Sequence, residues 1–214
     1  MSAQFPSSPD DQARANTTVA VLAGGASSRM GRPKALLPFG TETLIERVVR
    51  LVSELGVETI VAAAGDFVLP PLPSARILVD EERFEGPLLA IGNVLRAARA
   101  PFCFVCACDQ PFPSVALARF LLSRTAGVDV VIPSWKGRRQ PLFAAYRRDL
   151  APLFKRLVAA GERSLVSALR RVSVREVADE ELRAFDPEGL SFLDLDTADD
   201  YAAALQRIGD VPEG

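Results

Sequence analysis

Short apolar runs alternate along this chain with stretches that repeat at helical spacing, and this alternation constrains the fold more than any other feature. The run "TTVAVLA" (17–23) is unbroken and β-branched, as a strand buried on both faces should be. Leu44, Val48, Leu51, Val52 and Leu55 then recur at helical spacing, and "ETIVAAA" (58–64) reads as a strand again, so the chain opens β-α-β. "ARILV" (75–79) and "FCFVCAC" (102–108) add two strands around a helix whose apolar face carries Leu88, Ile91 and Leu95. A helix over 114–124 leads to "VDVVIPS", a polar turn "WKGRRQ" around Gly137, and "PLFAAY", which together predict a hairpin-like antiparallel excursion. Helices are expected near 150–160 and 164–171, then a last strand "LSFLDLD" (190–196) and a helix from 198 capped by Thr197.

The pattern is that of a doubly wound α/β domain: a three-layer α/β/α sandwich of Rossmann type with a mostly parallel sheet. The 214 residues, 49% of them hydrophobic, suffice for one such domain over 17–208, with a flexible polar tail at 1–16 and a short one at 209–214. No apolar run reaches the roughly 18 residues of a membrane span and residues 1–16 lack the apolar run of a signal peptide, so a cytoplasmic protein without membrane contact is expected. Cys103, Cys106 and Cys108 are odd in number. Strand alternation turns Cys103 away from the other two, which favours reduced core thiols over a metal site.

In open α/β sheets, ligands sit beyond the carboxyl ends of the strands, so the segments following "VAVLA", "ILV" and "FVCAC" are where chemistry belongs. The first of these reads "LAGGASSRMGRPKALLPFG" (22–40). Gly24 and Gly25 free the backbone to turn N–H groups towards an anion, and Arg29 and Lys34 add positive charge. The spacing is neither a Walker A loop nor GxGxxG. Two glycines alone would also suit a solvated turn.

The full string resembles the signature of nucleotidyltransferases that activate sugars, alcohols and cofactors. The Gly24-Gly25 pair is most similar to the molybdenum cofactor guanylyltransferases, where CTP-using relatives often have Ala-Gly. "GPLLAI" (86–91), "CDQPF" (108–112), "QPLFAAY" (140–146), "GERSL" (161–165) and the closing "DLDTADDY" (194–201) follow in the family's order, so the resemblance runs from Val19 to Ile208. It implies that Leu22, Ala23, Gly24, Gly25, Lys34, Asp80, Gly86, Pro87 and Asp109 bind the nucleotide, with Arg29, Lys34 and Asp109 catalytic. It also implies Mg2+ on Asp109, with Asp196 as a second ligand. Acids at 194–200 equally suit a helix N-terminus without any metal. Where many members have an asparagine-containing stretch after the second strand, this chain has "AAAGDF" (62–67), so that nucleoside contact is absent or made by backbone.

Charge is unevenly spread. Overall the chain carries a net −2, yet 134–175 holds eleven Lys and Arg against Asp149 and Glu162. Solvated helix faces or nucleic acid could account for such a segment, but it contains two of the family's landmarks, and an anionic small substrate is favoured over nucleic acid. Arg138, Gln140 and Arg163 are accordingly expected to border the acceptor.

The implied reaction joins GMP from GTP to the terminal phosphate of molybdopterin, releasing pyrophosphate, with transient contacts to cofactor-biosynthesis proteins or acceptor apoenzymes. A chain without histidine can do this, because a phosphate monoester with a second pKa of about 6 is already largely a dianion at neutral pH. A CTP-dependent molybdopterin cytidylyltransferase, another phosphate-acceptor enzyme, and a non-catalytic nucleotide-binding regulatory domain are the alternatives.

Overall fold

The computed structural model describes residues 9–24, 33–64, 68–80 and 86–208. Its first element, α1 (Pro9–Ala15), lies in the segment expected to be a tail. Pro9 heads the helix, Arg14 lies in its last turn, and the Thr17 hydroxyl donates to the Ala13 carbonyl, tying the helix to the first strand.

The strands β1 (Thr17–Leu22), β4 (Glu58–Ala64), β5 (Arg76–Asp80) and β6 (Phe102–Ala107) fall where the apolar runs predict. Beyond them come β7 (Val130–Trp135), β8 (Arg138–Arg139), β9 (Phe143–Arg147) and β10 (Val174–Val177). The sheet runs β10-β7-β9-β6-β1-β4-β5, with β8 paired to β7. β9 lies antiparallel between β6 and β7 and is the expected excursion, while β1, β4, β5 and β6 are mutually parallel. Every strand of the path except β9 therefore points its carboxyl end to one edge.

Helices cover both faces. On one side α2 (Leu44–Val52) and α4 (Val115–Ser123) pack Ile45, Val48, Leu117 and Leu121 against Val19, Val21, Phe104 and Cys106. On the other, α3 (Pro87–Ala97), α5 (Ala151–Ala159) and α6 (Leu165–Leu169) pack Leu88, Ile91, Leu95 and Phe154 against Ala20, Cys103 and Val105. The three thiols are buried and unbridged, Cys103 in one core and Cys106 and Cys108 in the other, as alternation requires. A third cluster at the carboxyl edge unites a two-stranded ribbon, β2 (Pro38–Phe39) and β3 (Glu42–Thr43), with α8 (Ala198–Gln206) through Phe39, Leu44, Phe112, Leu195 and Ala204.

The expected last strand does not form. Residues Leu190–Phe192 make a 3-10 turn, and 193–196 run along the sheet edge without joining it. The buried Asp186 carboxylate accepts from the N–H groups of Leu190 and Ser191 at 2.9 and 2.8 Å, taking donors that a ladder would need. Apolar residues of the segment still find burial, Phe192 in the sheet core and Leu195 in the edge cluster. The sequence pattern did not reveal β10, or the short helix α7 (Asp179–Leu182) that follows it. Among the described residues no helix is long and apolar enough to cross a membrane.

Candidate nucleotide site at the carboxyl edge

The strand ends build the site. Leu22 closes β1 with its carbonyl accepting from the Cys108 N–H, and the Ala23 N–H donates to the Ala62 carbonyl, so neighbouring strands hold this backbone on both sides. Gly24 follows directly. Gly25 and Arg29 lie outside the described residues.

Pro33 starts a 3-10 turn over Lys34–Leu36, packed beside α2. From it the Lys34 ammonium donates to Asp109 Oδ2 and to Asp196 Oδ1, each at 2.9 Å. These carboxylates lie 75 and 162 residues further along the chain. Asp109 follows β6 where Gln110-Pro111 stops the strand, as expected. Asp196 directly precedes the cap of α8, but the helix end is served by other groups: the Thr197 hydroxyl and the Asp200 carboxylate form a capping box, and Asp199 and Asp200 occupy the first turn. Asp196 instead faces Lys34.

The cluster is half-buried, with side-chain exposures of 18% for Lys34, 24% for Asp109 and 66% for Asp196. Burial alone would lower the Lys34 pKa, but hydrogen bonds to Asp109 and Asp196 and their charges outweigh it and hold the pKa above its ordinary value. Lys34 is therefore a fixed positive charge at neutral pH. Asp194 stands behind the cluster. Burial, with the nearby Asp109 and Asp196 charges, raises its pKa against the opposing hydrogen bond from Gln110 Nε2 at 3.0 Å.

The loop carrying Asp109 is pinned from three directions. The Asp109 carbonyl accepts from the Leu195 N–H, Gln110 reaches Asp194, and the Pro111 carbonyl accepts from Arg47 Nε at 2.9 Å. Arg47 is a buried guanidinium on α2 that sits over both Phe39 and Phe112 and pairs with Glu42. Sequence reasoning did not single out Arg47, Gln110 or Asp194. Arg47 did carry a signal, a charge three residues after Leu44 on the apolar face of a helix.

Asp80 ends β5 at the same edge, and its side chain lies outside the described part. Gly86 caps α3 with φ of 108°, Pro87 takes the first helical position, and a Cβ on Gly86 would lie 3.5 Å from the Arg163 carbonyl. Thus "GPLLAI" and "GERSL", far apart in sequence, meet. The Arg163 guanidinium donates to the carbonyls of Val158 and Glu162. Arg138 lies exposed on β8; its carbonyl accepts from Gln140 Nε2, and the Gln140 N–H returns to Pro133. That places Arg138 and Gln140 on the hairpin at the same sheet edge. A groove of about 580 Å3 between α3 and α5, lined by Gly92, Arg96, Phe154 and Lys155, is separate from Lys34 and Asp109.

The assembled edge offers strand-end backbone at a glycine, a permanently charged ammonium, and two carboxylates converging on it, an arrangement suited to a polyphosphate and a hard cation. Residues 19–175 match the model of the MobA-like NTP transferase domain. The chain is 34% identical over 198 residues to the probable molybdenum cofactor guanylyltransferase of Carboxydothermus hydrogenoformans, covering 89% of this chain and 96% of that one. It is 43% identical over 170 residues to the protein of the same name from Mycobacterium avium, covering 76% and 85%. In structure it resembles molybdopterin-guanine dinucleotide biosynthesis protein A from Archaeoglobus fulgidus, with a TM-score of 0.77 and 27% identity over 90% of this chain and 99% of that one.

Proposed function

We propose that this chain, which belongs to the MobA-like NTP transferase domain family, transfers GMP from GTP to the terminal phosphate of molybdopterin, or of its molybdenum-loaded form, and releases pyrophosphate. The convergence of Lys34, Asp109 and Asp196 at the carboxyl edge carries this reading. The names of the relatives support the choice of GTP and pterin.

In this reading the triphosphate lies over the backbone of Leu22 to Gly25, with Arg29 and Lys34 balancing its charge, and Asp80, Gly86 and Pro87 line the nucleoside side. Arg138, Gln140 and Arg163 border the acceptor phosphate. That phosphate attacks the α-phosphorus of GTP. The bond from the α-phosphorus to the bridging oxygen breaks, and pyrophosphate leaves with the electron pair beside Lys34. The nucleophile is already ionised, so no side chain need remove a proton. Asp109 and Asp196 fit a divalent cation, because two carboxylates already converge on one positive centre and Mg2+ is commonly held by one or two carboxylates plus substrate phosphates. Bound there, Mg2+ would neutralise phosphate charge. Product is handed on through transient contacts with cofactor-biosynthesis or acceptor proteins.

Pyrophosphate release, assayed with molybdopterin and each of GTP, CTP, ATP and UTP, tests the proposal. The expected result is release with GTP that requires a divalent cation and falls by about a hundredfold or more in Asp109→Asn, the scale of losing one transition-state charge contact. A preference for CTP would reject the guanylyl assignment. Turnover indifferent to Asp109 would reject the proposed site.

A further inference from the structure

We infer that the Lys34 ammonium is the resident cation of the Asp109–Asp196 pair, and that it yields this place to a divalent cation only when the triphosphate arrives to receive it. The protein therefore takes up metal with nucleotide rather than metal first. This rests on the function proposed above and specifies the order in which that site fills.

The geometry supports the exchange. Nζ stands 2.9 Å from an oxygen of each carboxylate, where a cation bridging the two side chains would stand. A divalent ion on the same two oxygens would be driven against the ammonium at close range, so the two positive charges exclude one another. Nor do the described residues offer a rich cage elsewhere, because no group of three or more His, Cys, Asp or Glu able to hold a metal is found among them. An ion on two carboxylates must complete its shell with water or phosphate oxygens, as Mg2+ usually does.

Lys34 is also built to move at one end only. Its backbone is fixed by the 3-10 turn, where the Leu37 N–H donates to the Lys34 carbonyl at 3.0 Å. Its four-carbon stem can swing the ammonium from carboxylate to phosphate, since both present oxygen acceptors. A bound triphosphate would attract the ammonium, leaving Asp109 and Asp196 to hold a divalent ion.

Mn2+ binding to the nucleotide-free, full-length protein, followed by the electron paramagnetic resonance of the free ion, tests this directly. Lys34→Met should bind Mn2+ about tenfold more tightly than the parent, equivalent to roughly 1.4 kcal/mol. Lys34→Gln is measured in parallel, and is decisive should far-UV circular dichroism show that the methionine variant does not fold. Equal or weaker Mn2+ binding in the folded variant overturns the exchange. The readout involves neither GTP nor pterin. Failure here alongside GTP turnover by the parent protein rejects the exchange alone, whereas tightening in a protein whose parent prefers another nucleotide rejects only the guanylyl assignment.

Discussion

At the scale of single residues, the site depends on groups whose roles are set by what they touch. Lys34 and Asp109 were legible as candidates because the motifs containing them are specific, and Lys34 sits in a 3-10 turn and Asp109 just beyond the end of β6. Arg47 and Gln110 were not, because a buried guanidinium and a buried amide owe their roles to partners distant in sequence: Pro111 for one, Asp194 for the other. Gly189 is a similar case. It has φ of 71°, and a Cβ there would fall 2.2 Å from the indole of Trp135, which is itself covered by the Arg183 guanidinium. Neither the backbone nor the ring can accept a methyl group. Gly189→Ala should therefore lower unfolding free energy by about 1–3 kcal/mol, the cost of overpacking and a strained backbone. Urea denaturation checks this, and an unchanged midpoint would show that the indole has room to move.

At the scale of elements, the segments that agree between pattern and structure are those buried by the sheet. β1, β4 and β6 are apolar along their length because helices cover both faces, and their position in the sheet is insensitive to small shifts in boundary. Residues 190–196 are rich in apolar residues like a strand, but Leu190 and Ser191 give their backbone donors to Asp186, so the apolar content reports burial there and not pairing. β10 is only four residues long and only its last is fully buried, too little periodicity to stand out. Helix α2, which brings Arg47 to the Asp109 loop, begins with a capping box between Thr43 and Glu46. The Thr43 hydroxyl, then its N–H, hold the Glu46 carboxyl below its ordinary value of 4.5. A lowered folded pKa contributes stability above the unfolded value, and that contribution fades as pH falls through the folded one. Thr43→Ala should cost about 1 kcal/mol at neutral pH. Its deficit relative to the parent should narrow on acidification below pH 4.5; a deficit independent of pH in that range would remove Glu46 from the account.

Across the whole molecule, the sheet divides two cores and closes its carboxyl edge with a third cluster beneath α8. The three thiols report on this architecture. Burial pushes the pKa of each upward, and the thiolate is the reactive form. Cys103, Cys106 and Cys108 should resist a thiol-specific chromogenic reagent in the native protein and all react once denaturant unfolds it. Reaction of any of them in the native state at a rate faster than unfolding would reveal a local opening of β6 or of the turn that follows it. The order of the central strands and helices, the antiparallel excursion and the family were determined by the sequence by itself, because hydrophobic period and turn chemistry are local and motifs keep their order along the chain; β10, α7 and the turn at 190–192 were not. The tertiary structure alone decided that Asp196 faces Lys34 and not its own helix, that Arg47 and Gln110 hold the Asp109 loop, and that Gly86 meets Arg163. Those relations join residues 64 to 162 positions apart, and contacts over such distances are set by how layers pack, which no local pattern records.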